Sequence, residues 1–297
     1  MRWHRDLSRY AHKAVWGARV VGVGAALRGA ARLATIKLRR PRSVMVKLRS
    51  GPHIEMEYPH QLVPALVVFG DLIDPEYDFL RAVARPDWVV IDIGAAIGQF
   101  TVYAALLPGT TVHAYEPSIA NVATLERNLQ RNGVAPHVVV HKVALGEKNG
   151  DGLFVTAPNA FVSRLDEPHP GELTETVAVR TLAHELDVLG LDHVAVIKIN
   201  VAGSEPEVLA GAERFLEAGN ASILVVLVGT RSITWYKKLH DLGYKAFFYH
   251  PVRRELTEVR HFDVVSITSP PWPARHLLFV HVAAIRRGIL ADIRCQS

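Results

Sequence analysis

Residues 89–101, Val-Val-Ile-Asp-Ile-Gly-Ala-Ala-Ile-Gly-Gln-Phe-Thr, confine this chain to a small set of folds. A short apolar strand ends in Asp92, Gly94 and Gly98 frame a turn, and a helix opens directly after it. At the close of the next apolar segment, His-Ala-Tyr-Glu-Pro, stands a second acid, Glu116. Strand, glycine turn, helix and strand in that order build a parallel sheet whose carboxyl edge takes a nucleoside-bearing ligand. Glycine permits close backbone approach, and an acid ending the second strand can accept from both hydroxyls of a ribose. A plain tight turn between two solvated acids is the alternative. The repetition of an acid at successive strand ends argues against it.

A dinucleotide loop reads G-x-G-x-x-G and lays a pyrophosphate on the helix N-terminus. Here the spacing is D-x-G-x-x-x-G, with a carboxylate before the turn and no middle glycine. A carboxylate repels a pyrophosphate but attracts an ammonium or sulfonium. The pattern therefore favours S-adenosyl-L-methionine over a nicotinamide cofactor. A nicotinamide oxidoreductase, the third reading, also lacks a convincing Tyr-Lys or metal proton relay.

Periodicity organises the rest. Residues 43–58 alternate around Ser50-Gly51-Pro52 as a hairpin, and 74–85 read as a helix. Strands are predicted at 88–93, 111–115, 137–142, 194–199, 222–228, 245–249 and 276–281. Helices fall between them at 97–107, 119–131, 182–189, 205–217 and 231–242. This alternation predicts an α/β fold, with a mostly parallel sheet covered on both faces and one late antiparallel strand. Short β segments at 152–156 and 177–180 enclose a Pro- and acid-rich loop, 157–176. A lid over an acceptor and an ordinary surface connection are equal readings of that loop.

The chain's 297 residues, 49% hydrophobic and 21% charged, suit one sizeable α/β domain with attachments. We divide it into a basic helical N-terminal extension (1–42), a main domain (43–282) and a tail (283–297). The single cysteine, Cys295, excludes an internal disulfide and a cysteine-rich zinc site, and points to a reducing cytoplasm. Residues 1–42 carry eleven Lys or Arg against Asp6, a net +10; with +5 overall, the remainder is −5. The core is therefore not basic, and no nucleic-acid partner is expected. Arg19, Arg28 and Arg32 interrupt the apolar stretch 14–36, which argues against a bilayer-spanning helix or a cleavable signal peptide. Two readings of the extension stand: peripheral contact with a membrane through residues 1–42, or a helix packed on the domain or a loosely ordered basic arm. Its glycines, which weaken a free-standing helix, favour the second.

At family level the residues resemble the FkbM-type S-adenosylmethionine-dependent methyltransferases. Asp92-Ile-Gly-Ala-Ala-Ile-Gly98 with Thr101 looks like the D-V-G-A-N-I-G motif. Glu116-Pro117-Ser-Ile-Ala-Asn121 and Leu125-Glu-Arg-Asn128 look like E-P-x-x-x-N and L-x-x-N. Val143-Ala144-Leu145-Gly146 and Thr181-Leu182 continue the resemblance. Ile197-Lys198-Ile199-Asn200-Val201-Ala202-Gly203-Ser204-Glu205 is similar to K-I-D-V-E-G-x-E, and Leu278-Phe279-Val280 closes the match.

The resemblance implies a Rossmann-like class I methyltransferase sheet and methylation of a hydroxyl on a sugar, glycan or secondary metabolite. It implies that Asp92, Gly94, Ala95 and Gly98 surround the methionine part of the cofactor, that Glu116 binds the ribose, and that Val143 and Ala144 line the adenine pocket. Ile97, Thr101, Pro117 and Asn121 are further cofactor-binding candidates.

The departures fall on the acceptor side. The family's fourth-strand acids are Asn200 and Ala202 here, its first-motif asparagine is Ala96, and the fifth strand ends Leu227-Val228-Gly229 without a glutamate. Removing those acids removes oxygen ligands for a magnesium-like ion, so no metal is expected. Catalytic candidates are Lys198, Asn200, Glu205 and His250, with Asn159 and Ser163 as acceptor contacts. Ser204-Glu-Pro-Glu207 also has the form of a capping box, which assigns Glu207 to the helix end. Two functions remain: an O-methyltransferase acting on a small hydroxylated acceptor, or a degenerate S-adenosylmethionine-binding protein with a regulatory or scaffolding role.

Overall fold

Alternation of apolar strands and amphipathic helices is realised as a nine-stranded sheet with cores on both faces. The computed structural model describes residues 22–60, 62–156, 164–165, 173–268 and 274–296. An N-terminal helix α1 (Val23–Arg39) leads to the hairpin β1 (Ser43–Lys47) and β2 (His53–Glu57), paired from Ser43↔Glu57 to Lys47↔His53. Helices α2 (Leu62–Phe69) and α3 (Glu76–Val83) precede the first sheet strand.

The central strands are β3 (Val89–Ile93), β4 (Thr111–Tyr115), β5 (Val138–His141), β10 (Val194–Ile199) and β11 (Ala221–Leu227). They lie parallel in the order β5-β4-β3-β10-β11. The later strands are β12 (Tyr244–His250), β13 (Glu255–Val259), β14 (His276–His281) and β15 (Arg294–Gln296). Strand β14 inserts antiparallel between β11 and β12, giving the Rossmann-like methyltransferase order. The sequence reading allowed one antiparallel strand; the sheet has three. Strand β13 pairs antiparallel with β12, and β15 pairs parallel with β13, so both run with β14. Their sequences, Glu-Leu-Thr-Glu-Val and Arg-Cys-Gln, lack the apolar run by which the inner strands are recognised.

Connecting helices are α4 (Gln99–Ala105), α5 (Ile119–Arg131), α6 (Leu182–Leu189), α7 (Glu205–Gly211), α8 (Glu213–Glu217), α9 (Ile233–Asp241), α10 (Val264–Thr268) and α11 (Val282–Arg286). The predicted helix 205–217 breaks at Ala212 into α7 and α8. A second, four-stranded sheet has the order β6-β9-β7-β8, from β6 (Ala144–Leu145), β7 (Gly150–Thr156), β8 (Arg164–Leu165) and β9 (Leu173–Arg180). Residues 173–176, expected in a loop, are therefore strand.

Side-chain alternation divides the two cores. Val90, Val196, Phe247 and Leu278 face the side packed with α4, α5 and the hairpin. Ile91, Ile197, Phe248 and Leu277 face the side packed with α6, α7 and α9. Register aligns the carboxyl ends of the parallel strands: Ile93 pairs with both Ile199 and Tyr115, and Tyr115 pairs with His141. Because β14 runs oppositely, its first residue, His276, comes to the same edge, opposite Leu227. Helix α1 packs on α2: Gly29 is buried there, and a Cβ on it would lie 2.8 Å from the Cα of Val68.

Candidate functional site

Asp92 and Lys198 are register partners on β3 and β10, and on parallel strands that puts their side chains on one face. Both are buried, and Lys198 Nζ lies 2.9 Å from Asp92 Oδ1. Thr101 Oγ1 donates to Asp92 Oδ2 at 2.6 Å, and the Phe100 ring lies 5.3 Å from the ammonium. Asp92 is thus a strut that ties β3, β10 and α4 together under the glycine turn. An ammonium that donates to this carboxylate has no lone pair for a substrate hydroxyl, so Lys198 is not placed as a base.

The turn is tight for reasons of contact. Gly94 has φ +76°, and a Cβ there would lie 2.1 Å from the Asn200 carbonyl oxygen. Gly98, φ +85° at the start of α4, would place a Cβ 2.3 Å from Leu125 Cδ1. Between them Ala95 and Ile97 are buried, while Ala96 sits at φ +48°. Ala202, across the gap, has φ +55°. Left-handed backbone at alanine costs roughly 1–2 kcal/mol, and asparagine tolerates it better. That explains physically why asparagine suits position 96 in the resembling motif.

Glu116 is buried and folds the neighbouring loops onto itself. Its Oε2 accepts from Ala96 N at 2.9 Å; its Oε1 accepts from Ser118 N and Asn121 Nδ2, each at 3.0 Å. Burial pushes its carboxyl above the usual range, against the pull of those three donors, and the nearby Asp92 adds to the rise. Pro117 is half-buried in the turn, and Ser118 caps α5 through Asn121 N. Val143 packs partly into the core and Ala144 is buried in β6, paired with Val179. The cofactor candidates thus gather at the carboxyl ends of β3, β4 and β5.

On the other side of Gly94, Asn200 follows β10, half-buried. Its Nδ2 lies 3.4 Å from His276 Nε2. His276 is buried, and its Nδ1 meets Glu76 Oε1, with Asp74 Oδ1 at 3.7 Å. Arg275 donates to Asp74 Oδ1 at 2.9 Å and Gln99 to Asp74 Oδ2 at 3.2 Å. As placed, Asn200 Nδ2 is turned to the imidazole Nε2, which leaves Asn200 Oδ1 as an acceptor on the other side.

The ligand atoms of Asp74, Glu76 and His276 lie within 4.8 Å of one another. The guanidinium already on Asp74 opposes a divalent cation, so we read the cluster as an ion-pair network.

Glu205, the other predicted site acid, is buried and turned inward: its Oε1 accepts from Val201 N at 3.0 Å and Gly203 N at 3.3 Å. The expected capping box does not form. Ser204 gives α7 no side-chain cap, and Glu207 pairs with Arg231 at 2.6 Å. Glu205 holds the loop amides instead. His250 ends β12, three strands from β10 in the sheet order, or about 14 Å. Its Nδ1 accepts from the amides of Val252 and Arg253, so the structure places it as a turn cap. Asn159 and Ser163 lie outside the described residues.

A model of the methyltransferase FkbM domain matches residues 92–258, more than half of the chain. The chain belongs to the FkbM methyltransferase family. Among FkbM relatives, 31-O-demethyl-FK506 methyltransferase FkbM of Streptomyces tacrolimicus is 32% identical over 160 residues, covering 43% of this chain and 61% of its own length. Methyltransferase 1 of Beauveria bassiana (strain ARSEF 2860) is 28% identical over 181 residues, covering 54% and 68%. The chain thus spans about three fifths of the first relative's length. A crystal structure of methyltransferase FkbM from Methylobacillus flagellatus KT aligns with 74% of this chain and 54% of its own, at 18% identity and a TM-score of 0.44.

Within the FkbM domain, two further motif residues prove to be struts. Asn128, wholly buried, exchanges hydrogen bonds with Glu55 N and O and donates to Ile97 O at 2.8 Å. Glu116 serves its own loop as described. The sequence reading missed Asp74, Glu76, Gln99, Arg275 and His276. Acids at 74 and 76 look like ordinary companions of a helix N-terminus, and His276 looks like one polar residue in an apolar strand. The available signal was Asp-Pro-Glu just ahead of the first sheet strand.

Proposed function

We propose that this protein transfers a methyl group from S-adenosyl-L-methionine to a hydroxyl of a small acceptor, a sugar, glycan or secondary metabolite. The observation that carries the proposal is the grouping of the Gly94–Gly98 turn and Glu116 on one side of the sheet edge, with the fixed Asn200 amide on the other. The residues suit the cofactor at Glu116: among the described residues its Oε2 takes one protein donor, which leaves a second acceptor position for a ribose hydroxyl. Glu116 would take the ribose, the turn from Gly94 to Gly98 the methionine part, and Val143 and Ala144 the adenine. The cofactor would supply an electrophilic methyl on a sulfonium.

In this reading Asn200 Oδ1 accepts from the acceptor hydroxyl and aims its oxygen. His276 and Glu76 hold the amide in that sense. Rate enhancement then rests mainly on alignment, which is worth up to ~7–11 kcal/mol when reacting atoms are well placed. With no carboxylate at position 200 or 202 to take it, the acceptor's proton would pass to solvent water as the ether bond forms. The first relative's name, a 31-O-demethyl-FK506 methyltransferase, supports an oxygen acceptor.

The test is transfer of label from methyl-labelled S-adenosylmethionine to a panel of sugars and hydroxylated metabolites, each paired with its hydroxyl-blocked analogue. Label in an ether product, absent from the blocked partner, is expected. Cofactor binding without transfer to any of them would favour the regulatory or scaffolding reading, a view that Asn200 and Ala202 in place of acids would support.

A further inference from the structure

Helix α1 displays an apolar stripe that nothing else among the described residues covers. Its inner face is accounted for: Leu33 and Ile36 pack on the core, and Gly29 seats the backbone against α2. Arg32 Nη2 reaches Met45 O at 2.5 Å and fixes the helix over β1. At about 100° per residue, Val23, Leu27, Ala30, Ala31, Ala34 and Leu38 fall in one sector about 100° wide. All six are exposed, and Val23, Leu27 and Leu38 are 66%, 65% and 85% accessible. Arg28, Arg32 and Arg39 flank one side of the stripe and Lys37 the other. Residues 22–42 hold six cations and no acid, and residues 1–21 add five cations against Asp6.

We propose that this face of α1 docks on an anionic lipid bilayer surface, with the leucines and valine in the acyl boundary and the cations at the headgroups. The charge decides between occupants. A second copy of the chain would press together two stripes, each flanked by four cations, which like-charge repulsion opposes. A nucleic acid would satisfy the cations but leave the stripe in water. An anionic bilayer meets both demands, with an apolar layer beneath a negative surface. The helix lies on the surface and does not cross it: no helix among the described residues is long and apolar enough to span a membrane. The inference is independent of the methyl-transfer reading.

The test is co-sedimentation of the full chain with phosphatidylcholine vesicles, with and without phosphatidylglycerol. Binding only to the anionic vesicles, weakening as salt rises, is expected. A Leu27→Glu/Leu38→Glu variant and an Arg28→Gln/Lys37→Gln/Arg39→Gln variant should each bind at least tenfold more weakly. Because these side chains point outward, both should keep the parent's thermal midpoint. At matched ionic strength, inorganic phosphate should displace the protein no more than chloride does; selective displacement by phosphate would overturn the proposal. The proposal is overturned by equal binding to both vesicle types, by undiminished binding of the Leu→Glu variant, or by no binding. A dimer in light scattering that the same Leu→Glu changes abolish would overturn it in favour of a second copy.

Discussion

Single side chains at the sheet edge do structural and chemical work at once, and the Asp92–Lys198 pair shows how to separate the two. Removing one partner of a buried ion pair strands the other charge, at a cost of about 3–5 kcal/mol. Lys198→Met should therefore lower unfolding stability by about that amount, read as a shift of the urea midpoint. Asp92→Asn added to it should recover much of the loss. A single variant with an unchanged midpoint would show that the pair does not hold β3 to β10. The acids and glycines were legible because strand ends and turns leave short local patterns. The partners of those acids were not: Lys198 lies 106 residues from Asp92, and His276 lies 200 from Glu76. Only the folded sheet, with β14 reversed, brings such residues to one edge.

At the level of elements, α5 is joined to the hairpin by amides. Asn128 and Asn132 each exchange hydrogen bonds with the backbone of β2, at Glu55 and His53, much as a neighbouring strand would. Asn128 also holds Ile97 O, so the hairpin and the glycine turn share one strut. Asn128→Ala should cost about 1–3 kcal/mol for each buried backbone group left unpaired. Differential hydrogen exchange should then rise in β2 and in residues 94–98 together. Exchange confined to β2 would show that the turn does not depend on the strut. The L-x-x-N pattern was readable as family signature, yet its physical meaning was hidden, because the hairpin it grips lies 73 residues earlier. Strands β13 and β15 escaped for a related reason: β13 mixes polar and apolar residues and β15 is exposed, so no apolar rhythm announces them.

For the whole molecule, histidines desolvated by the fold set the response to acid. Burial pushes His60, His113, His141 and His193 below their usual 6.5, with His141 adding to the shift of His113 and Arg287 to that of His193. The unfolded chain then takes up protons first as pH falls below about 6.5, so stability is full above that value and declines beneath it. Glu116 acts in the opposite sense: its raised carboxyl gains the fold stability as pH falls through its folded value toward 4.5, and offsets part of the loss. Urea midpoints should drop between about pH 7.5 and 5.5; a flat or rising midpoint would contradict the histidine account.

The proposed function rests on one central claim, that the edge formed by the Gly94–Gly98 turn and Glu116 grips an adenosyl ligand. Calorimetric titration of S-adenosylhomocysteine into the wild type and a Glu116→Ala variant of verified fold tests it most directly. The account predicts saturable one-to-one binding that weakens at least tenfold in the variant, since ribose hydroxyls lose their acceptor, about 1.4 kcal/mol or more. No binding by the wild type, or equal affinity in both proteins, would contradict it.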